Sequence, residues 1–279
     1  MKDFKPYPYS ESEINERVQS AVSREISAED RKKALLCILG SIDLTTLEAT
    51  DTESKVAFLC EQAMSFSVRK SIAPDVAAVC VYSPFASLVK SLLQDTGIKT
   101  ACVATAFPSG QAPLSVKLVE VSYIVEEGAD ELDMVISRGK FLEGKYEEVA
   151  DEIRAVKTAC GETCLKVILE TGELMTVDNI RKASEIALLA DADFLKTSTG
   201  KIQPAATPHA FIIMLDTIKE YYNMCGRKVG IKAAGGIAAA ETSLHYYLLV
   251  KEVLGEEWLN KDLFRIGASR LAENIFNEL

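Results

Sequence analysis

From about residue 40 onward, short apolar runs alternate with longer stretches whose apolar positions recur every three or four residues. The first pattern marks strands buried on both faces, and the second marks helices that bury one stripe. Eight runs are expected as strands: Ile38–Leu44, Ala77–Tyr82, Thr100–Ala106, Glu131–Ile136, Cys164–Glu170, Asp193–Thr197, Gly230–Ala234 and Phe264–Gly267. Between them, Tyr146, Val149, Ile153, Val156 and Cys160 form one helical stripe, and Val177, Ile180, Ala183 and Ile186 form another. Thr207-Pro208 supplies an N-cap with proline in the first turn. Eight strand–helix units in about 240 residues fit a closed (β/α)8 TIM barrel. A doubly wound open sheet shares this alternation, because periodicity does not report closure.

Residues 1 to 38 carry a different pattern and are expected to be a helical extension packing on the barrel of residues 39–279. Pro6 and Pro8 favour an extended start. Ser10-x-x-Glu13 is a capping-box pattern, followed by Ile14, Val18 and Val22 on one stripe. Ser27-Ala-Glu-Asp30 opens a second helix running toward Leu39. No linker or compositional break divides the remainder, so it reads as one domain.

Composition narrows the functional classes. The net charge is −10, which argues against nucleic-acid binding, since a phosphate backbone rewards a basic face. A few local cations and backbone amides still suffice for an anionic metabolite. The seven cysteines are odd in number, include no C-x-x-C pair, and lie mainly in apolar runs. No apolar run reaches membrane-spanning length, and the start of the chain lacks a signal core. A reducing cytoplasm is therefore the expected compartment, without membrane attachment. The oligomeric state is not fixed by the sequence; a homodimer is carried as a working expectation.

The chemistry lies where charge interrupts the strands. Leu165-Lys166-Val167, Leu195-Lys196-Thr197 and Ile231-Lys232-Ala233 each carry a lysine, and Glu131-Leu132-Asp133-Met134-Val135 carries acid. An unpaired buried charge is costly, so such groups are paired or driven toward neutrality. A single lysine would fill the barrel as half of an ion pair. Three on strands five, six and seven converge on one mouth, the face where barrel enzymes hold their active sites. Each cation disfavours protonation of the next, and burial acts the same way. A lysine amine left neutral is a nucleophile toward carbonyls, and Asp133 is placed to move protons during carbinolamine formation.

The glycines indicate where the other end of a substrate rests. Gly235-Gly236 follows strand seven, and Gly267-Ala268-Ser269 follows strand eight. Free amides at helix starts after these two strands make the usual barrel phosphate site. Thr199-Gly200-Lys201 adds a further anion contact after strand six, although it is not a P-loop. His209 and His245 are the only histidines, and both fall in helical patterns, which leaves no obvious ligand set for a catalytic zinc. No metal or other cofactor is expected.

Six ordered segments resemble the deoxyribose-phosphate aldolase family. They are Ile42-Asp-Leu-Thr-Thr46, Glu131-Leu-Asp-Met-Val135, Leu165-Lys-Val-Ile-Leu-Glu-Thr-Gly-Glu-Leu174, Asp193-Phe-Leu-Lys-Thr-Ser-Thr-Gly-Lys201, Gly230-Ile-Lys-Ala-Ala-Gly-Gly236 and Arg265-Ile-Gly-Ala-Ser269. The resemblance implies a class I aldolase that interconverts 2-deoxy-D-ribose 5-phosphate with D-glyceraldehyde 3-phosphate and acetaldehyde. By position, Lys196 would form the imine and Lys232 would lower its pKa. Asp133 would complete the proton relay, and Lys166 would help order the site. Asp43 and Cys80 match positions that line the family's pocket. Thr199, Gly200, Lys201, Gly235, Gly236, Gly267 and Ser269 would surround the phosphate.

The sequence departs from the family at two places. Family members end in a tail with a terminal tyrosine that assists proton transfer, whereas no tyrosine follows Tyr247 here, so a bound water is the expected substitute. Arg270 follows Ser269 where a second serine is common. An arginine there would contact phosphate or restrict longer acceptors. Two alternatives stay open on the residues alone: a barrel lyase or isomerase for another sugar phosphate, and a non-catalytic sugar-phosphate sensor.

Overall fold

A computed structural model describes residues 4–279. Among them, eight parallel strands close into a barrel in sequence order, β1 pairing with both β2 and β8. The strands are β1 (Ile42–Thr45), β2 (Ala78–Tyr82), β3 (Lys99–Ala104), β4 (Glu131–Val135), β5 (Cys164–Ile168), β6 (Phe194–Lys196), β7 (Gly230–Ala234) and β8 (Phe264–Ala268). Before the barrel come α1 (Glu11–Val22) and α2 (Ala28–Leu39). The connections carry α3 (Glu53–Ala63), α4 (Phe66–Arg69), α5 (Ala86–Leu92), α6 (Leu114–Glu126), α7 (Arg138–Leu142), α8 (Tyr146–Cys160), α9 (Thr171–Leu174), α10 (Val177–Leu189), α11 (Pro208–Cys225) and α12 (Ala240–Val253), and α13 (Leu271–Glu278) follows β8. No helix among the described residues is long and apolar enough to cross a membrane.

The first strand is shorter than the apolar run suggests. Ile38 and Leu39 belong to the end of α2, and Gly40 caps that helix before β1 begins at Ile42. Strands three to six also stop earlier than expected. Thr105, Ala106 and Glu170 adopt positive φ, which turns the chain out of the sheet. The N-termini of the helices follow local chemistry. Ser10 and Glu13 form a reciprocal capping box, and Ser27, Thr52, Thr176 and Thr207 each accept a backbone N–H at the start of a helix.

Strand side chains alternate between two environments. Leu132, Met134, Leu165, Val167, Leu195, Ile231, Ala233 and Ile266 join the continuous apolar layer between barrel and helices. Their neighbours in sequence point into the barrel. On β2 and β3 these interior residues are small and apolar, namely Ala78, Cys80, Ala101 and Val103. On β1 and β4 to β8 they include Asp43, Glu131, Asp133, Lys166, Lys196, Lys232 and Arg265, all buried. Phe194 plugs the interior near these charges, with its ring 6.0 Å from Lys166 Nζ and 5.9 Å from the Arg265 guanidinium. Gly230 must lack a side chain, because a Cβ there would stand 2.3 Å from the Phe194 ring.

The N-terminal segment is tied to the helical layer. α1 contacts α11 and α12, while α2 contacts α12 and α13. Arg17 makes a forked ion pair with Asp216, which also accepts from the Tyr7 hydroxyl at 2.6 Å. These contacts lie on the barrel's outer flank, away from the charged interior.

Candidate active site

Strand register assembles the charged cluster. Parallel pairing sets Asp133 beside Lys166, Lys196 beside Lys232, and Lys232 beside Arg265. Residues far apart in sequence thereby share one enclosed volume. Asp133 is its centre. One carboxylate oxygen accepts from Lys166 at 2.9 Å, and the other accepts from both Lys196 and Lys232 at 2.7 Å. Lys232 also donates to Asp43, and Lys166 donates to Glu131 at 2.5 Å. Gly267 leaves room for this arrangement, since a Cβ there would sit 3.1 Å from Lys232 Cε.

The three lysines differ electrostatically. Burial and the neighbouring Lys232 ammonium push Lys196 below the ordinary lysine value, against the pull of Asp133. Burial alone would push Lys232 and Lys166 down too, but Asp133 and Asp43 hold Lys232 above its ordinary value, and Asp133 and Glu131 do so for Lys166. Repulsion between cations also acts on Lys232, but only at Lys196 do burial and repulsion prevail, because the carboxylates are shared unequally. Burial would raise Asp133, yet Lys166, Lys196 and Lys232 carry it well below the carboxylate range. The interior holds four cationic side chains against three carboxylates, Asp43, Glu131 and Asp133. One neutral lysine balances that count, and Lys196 is the member with the weakest hold on its proton.

Lys196 is also the lysine of the interior that borders open space. A cleft of about 650 Å³ lies at the C-terminal mouth of the strands, bordered by Lys196, Gly200, Lys201, Gly236, Ser269 and Arg270 among others. Thr199, Gly235 and Gly267 border it as well. Gly235 and Gly200 both have positive φ, and a Cβ on Gly235 would approach Gly200 Cα to 2.9 Å and Ala205 Cβ to 2.6 Å. The two loops can therefore meet only as bare backbone. Lys201 reaches across to Glu48 at 3.1 Å. A second cleft, of about 530 Å³, lies beside the start of β3 at the opposite end of the barrel. That face contributes to stability in barrel enzymes rather than chemistry.

Two expected pocket residues are placed deeper than the sequence implied. Asp43 is fully buried beneath the cleft, where Lys232 and Arg265 hold it. Cys80 is likewise fully buried, and burial raises its thiol pKa. Neither borders the cleft; each stands behind Lys232 and Lys196. Lys166 and Asp133 are equally enclosed.

Three participants were not singled out from sequence. Arg265 donates to Asp43 at 2.6 Å and grips Glu131 at 2.7 and 3.1 Å, which closes the floor of the cluster. The signal for both was their inward phase, two residues from Gly267 and Asp133 respectively. Glu170 is the third. Its left-handed backbone aims a buried carboxylate at Thr199, which donates its hydroxyl at 2.5 Å and its N–H at 3.2 Å. Burial raises the Glu170 pKa despite those bonds and the nearby Arg138. Arg138 bonds Glu170 and the carbonyls of Pro108 and Ser109, so loops after β3 to β6 are linked in series.

Sequence and structure comparisons give a consistent family. A sequence model described as DeoC/LacD family aldolase matches residues 37–248. The human protein named deoxyribose-phosphate aldolase is 43% identical over 272 residues, covering 94% of this chain and 85% of its own. A Caenorhabditis elegans protein named putative deoxyribose-phosphate aldolase is 42% identical over 270 residues, covering 95% of this chain and 89% of its own. Among solved structures, a putative deoxyribose-phosphate aldolase from Coccidioides immitis superposes with a TM-score of 0.75 at 28% identity, covering 97% of this chain and 98% of that one.

Proposed function

The chain belongs to the DeoC/LacD aldolase family, and we propose that it is a deoxyribose-phosphate aldolase working through a Schiff base on Lys196. It cleaves 2-deoxy-D-ribose 5-phosphate reversibly to D-glyceraldehyde 3-phosphate and acetaldehyde, a step in deoxyribonucleotide breakdown. The observation that carries this reading is the state of Lys196: a buried amine, held below the usual lysine pKa and bordering the cleft, with Asp133 at 2.7 Å.

The neutral Lys196 amine adds to the C1 aldehyde of the open-chain sugar, and uptake of one proton with loss of one water gives an iminium ion. Removal of the C3 hydroxyl proton breaks the C2–C3 bond, whose electron pair moves to C2 to form an enamine. The C3 fragment leaves as D-glyceraldehyde 3-phosphate. Protonation of the enamine carbon and addition of one water release acetaldehyde, the free amine and the proton taken up when the iminium formed. Asp133 is the relay, because one of its oxygens bonds both Lys196 and Lys232. Burial, aided by Lys232, lowers the Lys196 pKa, and Lys166 fixes the other Asp133 oxygen. The phosphate rests against Gly200, Lys201, Gly235, Gly236, Gly267 and Ser269, on backbone amides and one ammonium. Of the expected extension over residues 1–38, residues 1–3 lie outside the described part; residues 4–38 buttress the barrel flank, and residues 39–279 are the catalytic unit.

Purified protein should consume deoxyribose 5-phosphate and release one glyceraldehyde 3-phosphate and one acetaldehyde per turnover. Turnover of other phosphorylated aldehydes or ketoses, but not this sugar, would transfer the assignment to another barrel lyase. Binding without turnover would favour a sensor.

A further inference from the structure

The charged cluster extends below the groups that can reach substrate. Arg265 lies next to Lys232 across the β7–β8 pairing and bridges Asp43 to Glu131. Glu131 in turn holds Lys166 at 2.5 Å. The floor therefore touches both arms that compete for Asp133: Asp43 draws on Lys232, and Glu131 draws on Lys166. We propose that Arg265 and Glu131 are positioning residues, which set how Asp133 is divided among Lys166, Lys232 and Lys196 without touching substrate. The inference rests on the Schiff-base reading above.

The direction of each effect follows from charge and connectivity. Without the Arg265 charge, Asp43 is left with Lys232 and, at 3.8 Å, Lys166, and draws both more strongly. Asp133 is then freer to hold Lys196 protonated. The loss of a nearby positive charge acts in the same sense. Without the Glu131 charge, Lys166 leans fully on Asp133, which leaves less for Lys196. The loss of a nearby negative charge again acts in the same sense. The groups facing Lys196 are Asp43 of β1, Cys80 of β2, Glu131 and Asp133 of β4, Lys166 of β5, Lys232 of β7 and Arg265 of β8. β3 offers only the uncharged Ala101 and Val103. Neither Arg265 nor Glu131 bonds Asp133, so either charge can be removed while the three contacts of Asp133 to Lys166, Lys196 and Lys232 remain.

The test is the pH dependence of acetaldehyde trapping on Lys196 in the full chain, using cyanoborohydride reduction and peptide mass mapping. Arg265→Gln should move the acid limit of trapping up by about one pH unit, and Glu131→Gln should move it down by a similar amount. This is the scale of a unit charge acting across a few strand spacings at an effective dielectric of about 20. The double variant should return near the parent value, and Arg265→Lys, which keeps the charge, should stay there. Glu131→Gln is nearly isosteric, so it decides the matter alone if Arg265→Gln fails to fold. Shifts in the same direction, or no shift in Glu131→Gln, overturn the inference. Absence of any Lys196 adduct in the unaltered protein would remove the Schiff-base reading and this inference with it. An adduct whose acid limit never moves removes only this inference.

Discussion

Replacing Lys232 by methionine isolates the electrostatic part of the mechanism. Lys196 Nζ and Lys232 Nζ each lie 2.7 Å from the same Asp133 oxygen, so they are at most about 5.4 Å apart. At an effective dielectric of about 20, two unit charges at that separation repel by about 3 kcal/mol. This corresponds to about two pKa units for Lys196. The sign is fixed. Lys196 is depressed in the intact protein, partly by Lys232, so removing that cation raises its pKa and moves the acid limit of imine formation to higher pH. Below the new limit, trapping should fall about a hundredfold, and at high pH it should recover. Lost proton transfer would instead lower turnover at every pH, so trapping and turnover profiles separate the two effects. Circular dichroism and thermal melting would check that the variant folds, since Asp43 and Asp133 each lose a partner. An unchanged acid limit in a folded Lys232→Met protein would refute the reasoning.

Other perturbations read separate parts of the site. Gly235→Ala places a Cβ 2.6 Å from Ala205 Cβ at a positive φ, a strain of about 1–3 kcal/mol. KM for deoxyribose 5-phosphate should rise at least about tenfold while acetaldehyde still traps on Lys196. Arg270→Ser removes a rim charge and should raise that KM about fivefold, an effect of about 1 kcal/mol, with no change for unphosphorylated deoxyribose. Lys117 is wholly buried and donates at 2.8 Å to both Glu152 and Ser137. Lys117→Met leaves Glu152 buried without its cation and should cost about 3–5 kcal/mol in denaturant unfolding, and a loss below about 1 kcal/mol would show that the pair contributes little.

The barrel was legible because lysines stand out in apolar strands and because glycines punctuate the strand ends. The barrel's interior was less so. Glu131 and Arg265 occupy the same inward phase as Asp133 and Gly267, but which strands pair, and in which register, is set by closure of the whole sheet. The family resemblance sets Asp43 and Cys80 at the pocket wall, and position along a strand does not report depth below the mouth. The apolar run places Glu170 at the end of a strand, since nothing in its identity signals a left-handed backbone. At the start of the barrel, the apolar run Ala34–Leu44 crosses a helix end, and Gly40 was the only mark of the break.

The central claim is that Lys196 is the imine-forming amine. It is tested most directly by reducing the protein with borohydride in the presence of deoxyribose 5-phosphate or acetaldehyde and mapping the modified peptide. A two-carbon adduct on Lys196, inactivation in proportion to labelling, and no such adduct in Lys196→Ala are the expected results. Labelling confined to another lysine, or equal labelling in Lys196→Ala, would contradict it.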